Sequence, residues 1–289
     1  MTQNSLKNSP NNQAKPADAQ TDAQKQVTVN LKTETQIAAM RVAGKLASEV
    51  LDFITPHVKA GVTTNQLDKL CHDYIVNVQK ATPAPLHYQP SSEHVPYPKS
   101  ICTSVNEVIC HGIPIDKVLK NGDIVNIDVT VIKDGFHGDT SRMFTIGVIA
   151  PYAARLIKIT YESMWLGIKK VRAGAKLGDI GHVIQRHAES AGYSVVREFC
   201  GHGIGQRFHE EPQVLHYGAP NQGLVLKAGM IFTIEPMINA GRRDIKMLSD
   251  GWGVRTKDRT LSAQWEHTVL VTETGYEVLT LSADSPPAP

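Results

Sequence analysis

Between Val125 and Val131 the chain alternates strictly: Val125, Ile127, Val129 and Val131 share one face, and Asn126, Asp128 and Thr130 the other. That period of two predicts a half-buried strand with an aspartate on its polar face. Lys133-Asp134-Gly135 is a turn signal, so the segment through Asp139 should return as the second strand of a hairpin. A two-residue turn at Lys133-Asp134 sets Asp128 directly opposite Asp139. Two carboxylates so placed repel by about 3 kcal/mol at ~5 Å and an effective dielectric of ~20. A positive group is therefore expected between them. Elsewhere the apolar spacing is helical. Thr33 with Gln36 forms a capping box that opens a helix to about Phe53, and Thr63 with Gln66 opens a second to about Val78. Further helices are predicted over Tyr152–Val171, stopped by Gly174, and over Leu177–Ala191. Each helix pair is followed by Val/Ile-rich strands, which predicts an α+β fold with antiparallel strands in the middle and helices outside.

Three short stretches recur in order. "VKAG" at 58–61 returns as "VRAG" at 171–174, and "HGI" at 111–113 returns at 202–204. "LKNGDIVNID" at 119–128 returns as "LKAGMIFTIE" at 226–235, with Asp128 aligned to Glu235. A duplicated half explains this better than a solenoid, whose periods are far shorter. The expected organisation is one domain over 28–284, built from related halves of about 28–150 and 151–284. Residues 1–27, rich in Asn, Gln, Ala, Lys and Asp, read as a disordered tail, and 285–289 as a C-terminal tail.

Composition narrows the class. A net charge of +2 is too small to argue for nucleic acid, and no apolar run approaches the ~20 residues of a membrane span. No apolar segment follows a basic start, so no signal peptide is expected. Cys71, Cys102, Cys110 and Cys200 form no CxxC pair, which suits a reducing cytoplasm and excludes a cysteine zinc module.

Candidate chemistry lies in acids placed among apolar strand residues. Asp128, Asp139, Glu235 in "IFTIEPMI" and Glu266 in "SAQWEHTVLV" share that setting, and His202 in "FCGHGIG" joins them. Any one of them, alone, is open to reading as a turn residue, a protonated acid or a partner of Arg142 or Lys133. Four together in a core are costly unless cations compensate them. The set suits two divalent ions about 3.5–4 Å apart with bridging carboxylates, and its oxygen-rich character favours Mn, Fe(II) or Co.

"HGDTSRMF", "CGHGIGQRFHEEP", "FTIEPM" and "SAQWEHT" resemble the signature segments of type I methionine aminopeptidases, of the pita-bread fold. The resemblance runs from about 34 to 282, and "YPKSICTSVNEVICHGIP" with "VLKAG" favours that family over prolidase and aminopeptidase P. It is to the short bacterial form. The resemblance implies removal of the initiator methionine of nascent proteins with a small second residue, by attack of a metal-bound hydroxide on the first peptide bond. Asp128 would chelate one ion with both oxygens, Asp139 and Glu266 would bridge, and His202 and Glu235 would complete the other ion. Glu235 would serve as general base, His209 would stabilise the carbonyl oxygen, and His111 would contact the scissile amide. Tyr97, Cys102, Phe208 and Trp252 would line the methionine pocket. Asn106, Val108 and Ser262 would hold a monovalent cation such as Na. Co, Mn, Fe(II), Zn and Ni are all candidates for the pair, with Fe(II) or Mn favoured in the cell. A cytoplasmic monomer that visits the ribosome transiently is implied, with "AGRRDIK" at 240–246 as a basic contact or simply a solvated loop.

Two features depart from the family pattern. The segment before Tyr97 is longer, which leaves the place of Tyr88 open, and Trp265 stands where a tyrosine is expected. The competing readings are an Xaa-Pro aminopeptidase or prolidase of the same fold, and a non-catalytic pita-bread binding protein. The latter is disfavoured because all five ligand positions are filled by competent residues.

Overall fold

Both capping boxes form in the computed structural model, which describes residues 28–289; the tail expected over 1–27 lies outside the described residues. The Thr33 hydroxyl accepts from the Gln36 N–H while the Gln36 amide oxygen accepts from the Thr33 N–H, opening α1 (Glu34–Ile54). Thr63 and Gln66 repeat the device at α2 (Thr64–Asp73), which runs on as a wider π turn over Tyr74–Val78. Each box satisfies two backbone donors that a helix start would otherwise leave bare. The third helix, α3 (Pro151–Ile168), ends short of the expected Val171, because Lys170 and Val171 donate to Gly167 and Ile168 in tight three-residue turns. The fourth, α4 (Leu177–Ser190), falls where its periodicity predicts.

The central hairpin corrects the expected register. Asp134 and Gly135, with φ of 49° and 81°, form the turn, and Lys133 pairs with Phe136. Positive φ at both central residues is the type I′ geometry that matches strand twist. Moving the turn by one residue moves the pairing by two, so Asp128 faces Ser141 and Asp139 faces Thr130. Because side chains alternate, a shift of two keeps the same face. Asp128 and Asp139 therefore remain on one surface, diagonal rather than opposed. The expected positive group between them is neither of the nearby cations. Arg142 pairs with Asp52 at 2.9 Å, and the Lys133 ammonium caps the carbonyls of Gln79 and Lys80.

All strand pairings are antiparallel among the described residues. In the first half Ile124–Lys133 pairs with Phe136–Thr145, Cys102–Val105 and Thr82–Pro83. In the second, a five-stranded sheet runs in the order Tyr276–Val278, His267–Val271, Ile231–Ile234, Gly201–Gly203, Glu210–Val214. Ser141 and Glu266 exchange both backbone hydrogen bonds, 3.4 and 3.3 Å, and so join the two sheets at the centre. Helices cover the outside. Leu51, Leu67, Ile101, Ile127 and Val129 form the core under α1 and α2, and Leu156, Trp165, Ile180, Ile184 and Phe232 the core under α3 and α4. Trp265 belongs to the second core, its ring 4.6 Å from Tyr161, so its bulk is absorbed in packing. Gly138 lets α1 lie directly on the hairpin: a Cβ there would collide with the Ala43 carbonyl, and the residue that follows is Asp139.

The last residues, expected as a tail, are tied down. The Tyr161 hydroxyl donates to the Pro286 carbonyl at 2.6 Å and the Lys169 ammonium to that of Pro289. No helix among the described residues is long and apolar enough to cross a membrane.

Candidate active site

Five strands and their ends deliver the expected ligands to one place. Asp128 and Asp139 come from the hairpin, His202 from Gly201–Gly203, Glu235 from the residue after Ile231–Ile234, and Glu266 from the residue before His267–Val271. The glycines beside His202 are required by crowding. A Cβ at Gly201 would strike the Thr233 carbonyl, and one at Gly203 the Glu211 carbonyl. All five side chains line one cavity of about 720 Å³.

Asp139, His202 and Glu266 each present a ligand atom within 4.8 Å of the others. His202 Nε2 lies 3.6 Å from Asp139 Oδ2 and 3.7 Å from Glu235 Oε1. These gaps are too long for hydrogen bonds but suit donors that each reach ~2.1 Å to a shared cation. His202 Nδ1 meets the Gly203 carbonyl at 2.9 Å, so Nδ1 carries the proton and Nε2 turns a lone pair toward the acids.

The electrostatics call for positive charge. Burial, followed by the neighbouring Asp139 and Glu235, holds the Asp128 carboxyl well above the usual range. Burial and then Asp139, Glu235 and Asp128 do the same to Glu266. Burial pushes Glu235 up to about 7 against the opposing pull of His202. Burial disfavours the charged form of His202, yet Asp139 and Glu235 together raise it. One imidazole cannot balance four carboxylates. Arg142 and Lys133 are committed elsewhere, so this donor set fits a pair of divalent cations.

A ring of further residues, which the sequence did not single out, aims the acids. Thr233 Oγ1 donates to Glu235 Oε1 at 2.7 Å and accepts the His202 N–H at 3.0 Å. Gln264 Nε2 donates to Glu235 Oε2 at 3.2 Å, and His216 Nε2 accepts the Glu235 N–H at 3.1 Å. Thr130 Oγ1 donates to Asp139 Oδ1 at 2.7 Å. The contacts of Thr233 with His202, of Gln264 with Glu235 and of His216 with Glu235 join segments whose proximity only the fold establishes, whereas Thr233–Glu235 and Thr130–Asp139 are local to one strand and one hairpin.

His209 and His111 border the acids. Tyr88 Oη and His209 Nδ1 are 2.7 Å apart, and the His209 ring centroid is 4.2 Å from that of His202. Burial lowers His209 to about 3 and raises the Tyr88 phenol, so a neutral ring meets a protonated hydroxyl. With Tyr88 as the donor to Nδ1, the ring proton is on Nε2. His111, at a positive φ of 54°, sets its ring edge-on to Phe199 and Trp252, and burial lowers it to about 4. His137 and His267 are structural: their Nδ1 atoms meet the Gly205 carbonyl at 3.0 Å and Thr280 Oγ1 at 2.9 Å.

The expected pocket residues come together and gain a member. Tyr97 meets Trp252 edge-to-face at 5.2 Å, Cys102 is buried in the cavity wall, and Phe208 stacks beside His209 at 4.4 Å. Tyr88 joins them, 4.9 Å from Phe208. The chain between the two tyrosines bulges outward, but His87 N–H donates to Tyr97 O and Tyr97 N–H to Tyr88 O. Those two bonds seat Tyr88 beside Tyr97 whatever the length of the loop. Trp252 Nε1 donates to the Val95 carbonyl of that loop at 2.7 Å. At the expected monovalent site, Ser262 N–H donates to the Asn106 carbonyl at 2.9 Å, and the Ser262 hydroxyl donates to Asn239 Oδ1. Val108 pairs with Arg255 in a neighbouring strand.

Residues 38–273 match the model of metallopeptidase family M24. A methionine aminopeptidase of Salmonella typhimurium is 59% identical over 259 residues, covering 89% of this chain and 96% of that protein. The chain belongs to metallopeptidase family M24, among its methionine aminopeptidases. The crystal structure of methionine aminopeptidase from Rickettsia prowazekii superposes with a TM-score of 0.85 at 57% identity, covering 88% of this chain and 100% of that one. Prolidase from Pyrococcus furiosus, at 21% identity, reaches 0.68 while this chain covers 65% of it. That likeness is one of fold alone.

Proposed function

We propose that the chain removes the N-terminal methionine of nascent proteins whose second residue is small, using Asp128, Asp139, His202, Glu235 and Glu266 to hold two divalent cations. The carrying observation is one cavity that joins these uncompensated ligands to an apolar aromatic pocket. When bound, the cations would supply a shared water acidified to near neutrality and an electrophile for the substrate carbonyl. Glu235, with its two oxygens held by Thr233 and Gln264, would take a proton from the attacking water and pass it to the leaving amine. His209 donates its Nε2–H to the carbonyl oxygen as negative charge develops there. His111, neutral and rigidly packed, contacts the scissile amide. The substrate α-amine sits at the Asp128 end of the site, which explains a demand for a free N-terminus. Tyr88, Tyr97, Cys102, Phe208 and Trp252 enclose the methionine side chain, whose thioether favours aromatic and sulfur neighbours.

Fe(II) or Mn is the proposed cellular pair, and Asn106, Val108 and Ser262 the proposed seat of a monovalent cation. Exposed Arg242, Arg243 and Lys246 form the proposed basic contact for a cytoplasmic monomer visiting the ribosome. Metal-stripped protein should release Met from Met-Ala-Ser after Mn(II) is restored and leave Ala-Pro-Ser intact. Turnover of the proline peptide alone would keep the metal site and replace the substrate. Tyr88→Phe keeps the pocket ring but loses the bond that fixes the His209 tautomer. Its kcat on Met-Ala-Ser should fall about 3–10-fold, the worth of one net hydrogen bond, with KM nearly unchanged.

A further inference from the structure

Resting on the role given to His209 above, we propose that Lys32 is a positioning residue for the reaction: its ammonium, through Glu210, fixes the turn that carries Phe208 and His209. Lys32 precedes α1 and is far from the acids in sequence. Its side chain is 1% exposed and forms an ion pair with Glu210, itself 10% exposed and a wall of the active-site cavity. The second Glu210 oxygen accepts the Arg207 N–H at 3.2 Å, so one carboxylate ties the ammonium to the start of the turn. Gly205 makes room for the pair, since a Cβ there would lie 2.6 Å from Lys32 Nζ and 2.7 Å from Glu210 Oε1. His209 sits between the two anchored residues, Arg207 and Glu210.

The lysine is itself held. Its backbone N–H donates to the Gly229 carbonyl at 2.8 Å, in the turn that leads into Ile231–Ile234 and Glu235. The other supports of the 205–210 turn are neutral. His137 donates its backbone N–H to the Gly205 carbonyl at 2.9 Å and stacks on Phe208 at 5.6 Å. Lys32 is the one cation within salt-bridge distance of Glu210 among the described residues. A buried carboxylate deprived of its cation must move toward water or be protonated. Whether or not Glu210 keeps its charge, the turn loses its tether to Lys32, so the adjoining His209 is free to shift, and near-attack geometry tolerates little displacement.

The test uses full-length protein loaded with Mn(II) and the initial rate of Met release from Met-Ala-Ser. Lys32→Met should lower kcat about tenfold or more, as expected when a donor is misplaced by part of an ångström, with KM within about threefold. Calorimetric Mn(II) stoichiometry should be unchanged. In a His209→Ala background the same Lys32→Met change should cost less than about twofold, because the residue it positions is gone. Lys32→Met with Glu210→Gln leaves no orphaned buried charge and should show the same kcat loss, which keeps the test open if the single variant folds poorly. Equal losses in the presence and absence of His209, or losses that track metal occupancy, would overturn the assignment. So would a Lys32→Met enzyme as fast as wild type. Should His209→Ala by itself leave kcat intact, the role given to His209 fails, and this outcome is separable from a failure of Lys32 alone.

Discussion

Asp139→Asn protein should release Met from Met-Ala-Ser roughly a thousandfold more slowly than wild type in Mn(II), a loss of about 4 kcal/mol of transition-state stabilisation. Asp139 is the point where the ligand set converges. It lies in the cluster with His202 and Glu266, and it raises the carboxyl groups of Asp128, Glu235 and Glu266 by repulsion. The sign of the stability change separates a metal ligand from an ordinary buried acid. In chelator-treated protein the substitution removes one charge from a cluster that lacks compensation, so the variant should melt no lower than wild type, and Asn retains an acceptor for the Thr130 hydroxyl. In excess Mn(II) the order should reverse, because wild type gains binding free energy that the variant cannot. Thermal melts with and without chelator test this directly. A variant destabilised equally under both conditions would mark Asp139 as structural.

His209→Ala should reduce kcat about a hundred- to a thousandfold with KM nearly unchanged, the usual cost of removing one donor from a developing oxyanion. A neutral ring whose Nδ1 accepts from Tyr88 keeps its Nε2–H free, the form such a donor needs. Mn(II) should still bind with the same stoichiometry, since His209 is outside the set that converges on Asp139. If His209 merely packs between Phe208 and His202, kcat should stay within about threefold.

Much of this was legible in one sequence because it rests on local rules. The two capping boxes depend on residues three apart, and both formed. The common face of Asp128 and Asp139 depends only on strand period, which explains why it survived a misplaced turn. The register itself did not, because Lys133-Asp134 and Asp134-Gly135 are both plausible two-residue turns, and the glycine's tolerance of positive φ decides between them. Tyr88 was unplaceable from spacing since the loop after it sets no fixed distance; two backbone bonds to Tyr97 do so in space. The roles of Gln264 and Lys32 were hidden for a stronger reason. Lys32 meets Glu210 across 178 positions, and no local pattern in either segment encodes the meeting.

The backbone exchange between Ser141 and Glu266 also bears on when the molecule becomes competent. The Asn126 amide reaches the Gln264 carbonyl across 138 positions at the same seam, so the centre closes only when segments from both halves are present. Contacts of such separation form late and slowly. A ribosome-bound chain halted before Glu266 emerges would hold Asp128, Asp139, His202 and Glu235 but lack the strand that locks the halves. The cluster of acids is therefore assembled only once the segment through His267–Val271 has joined the first half.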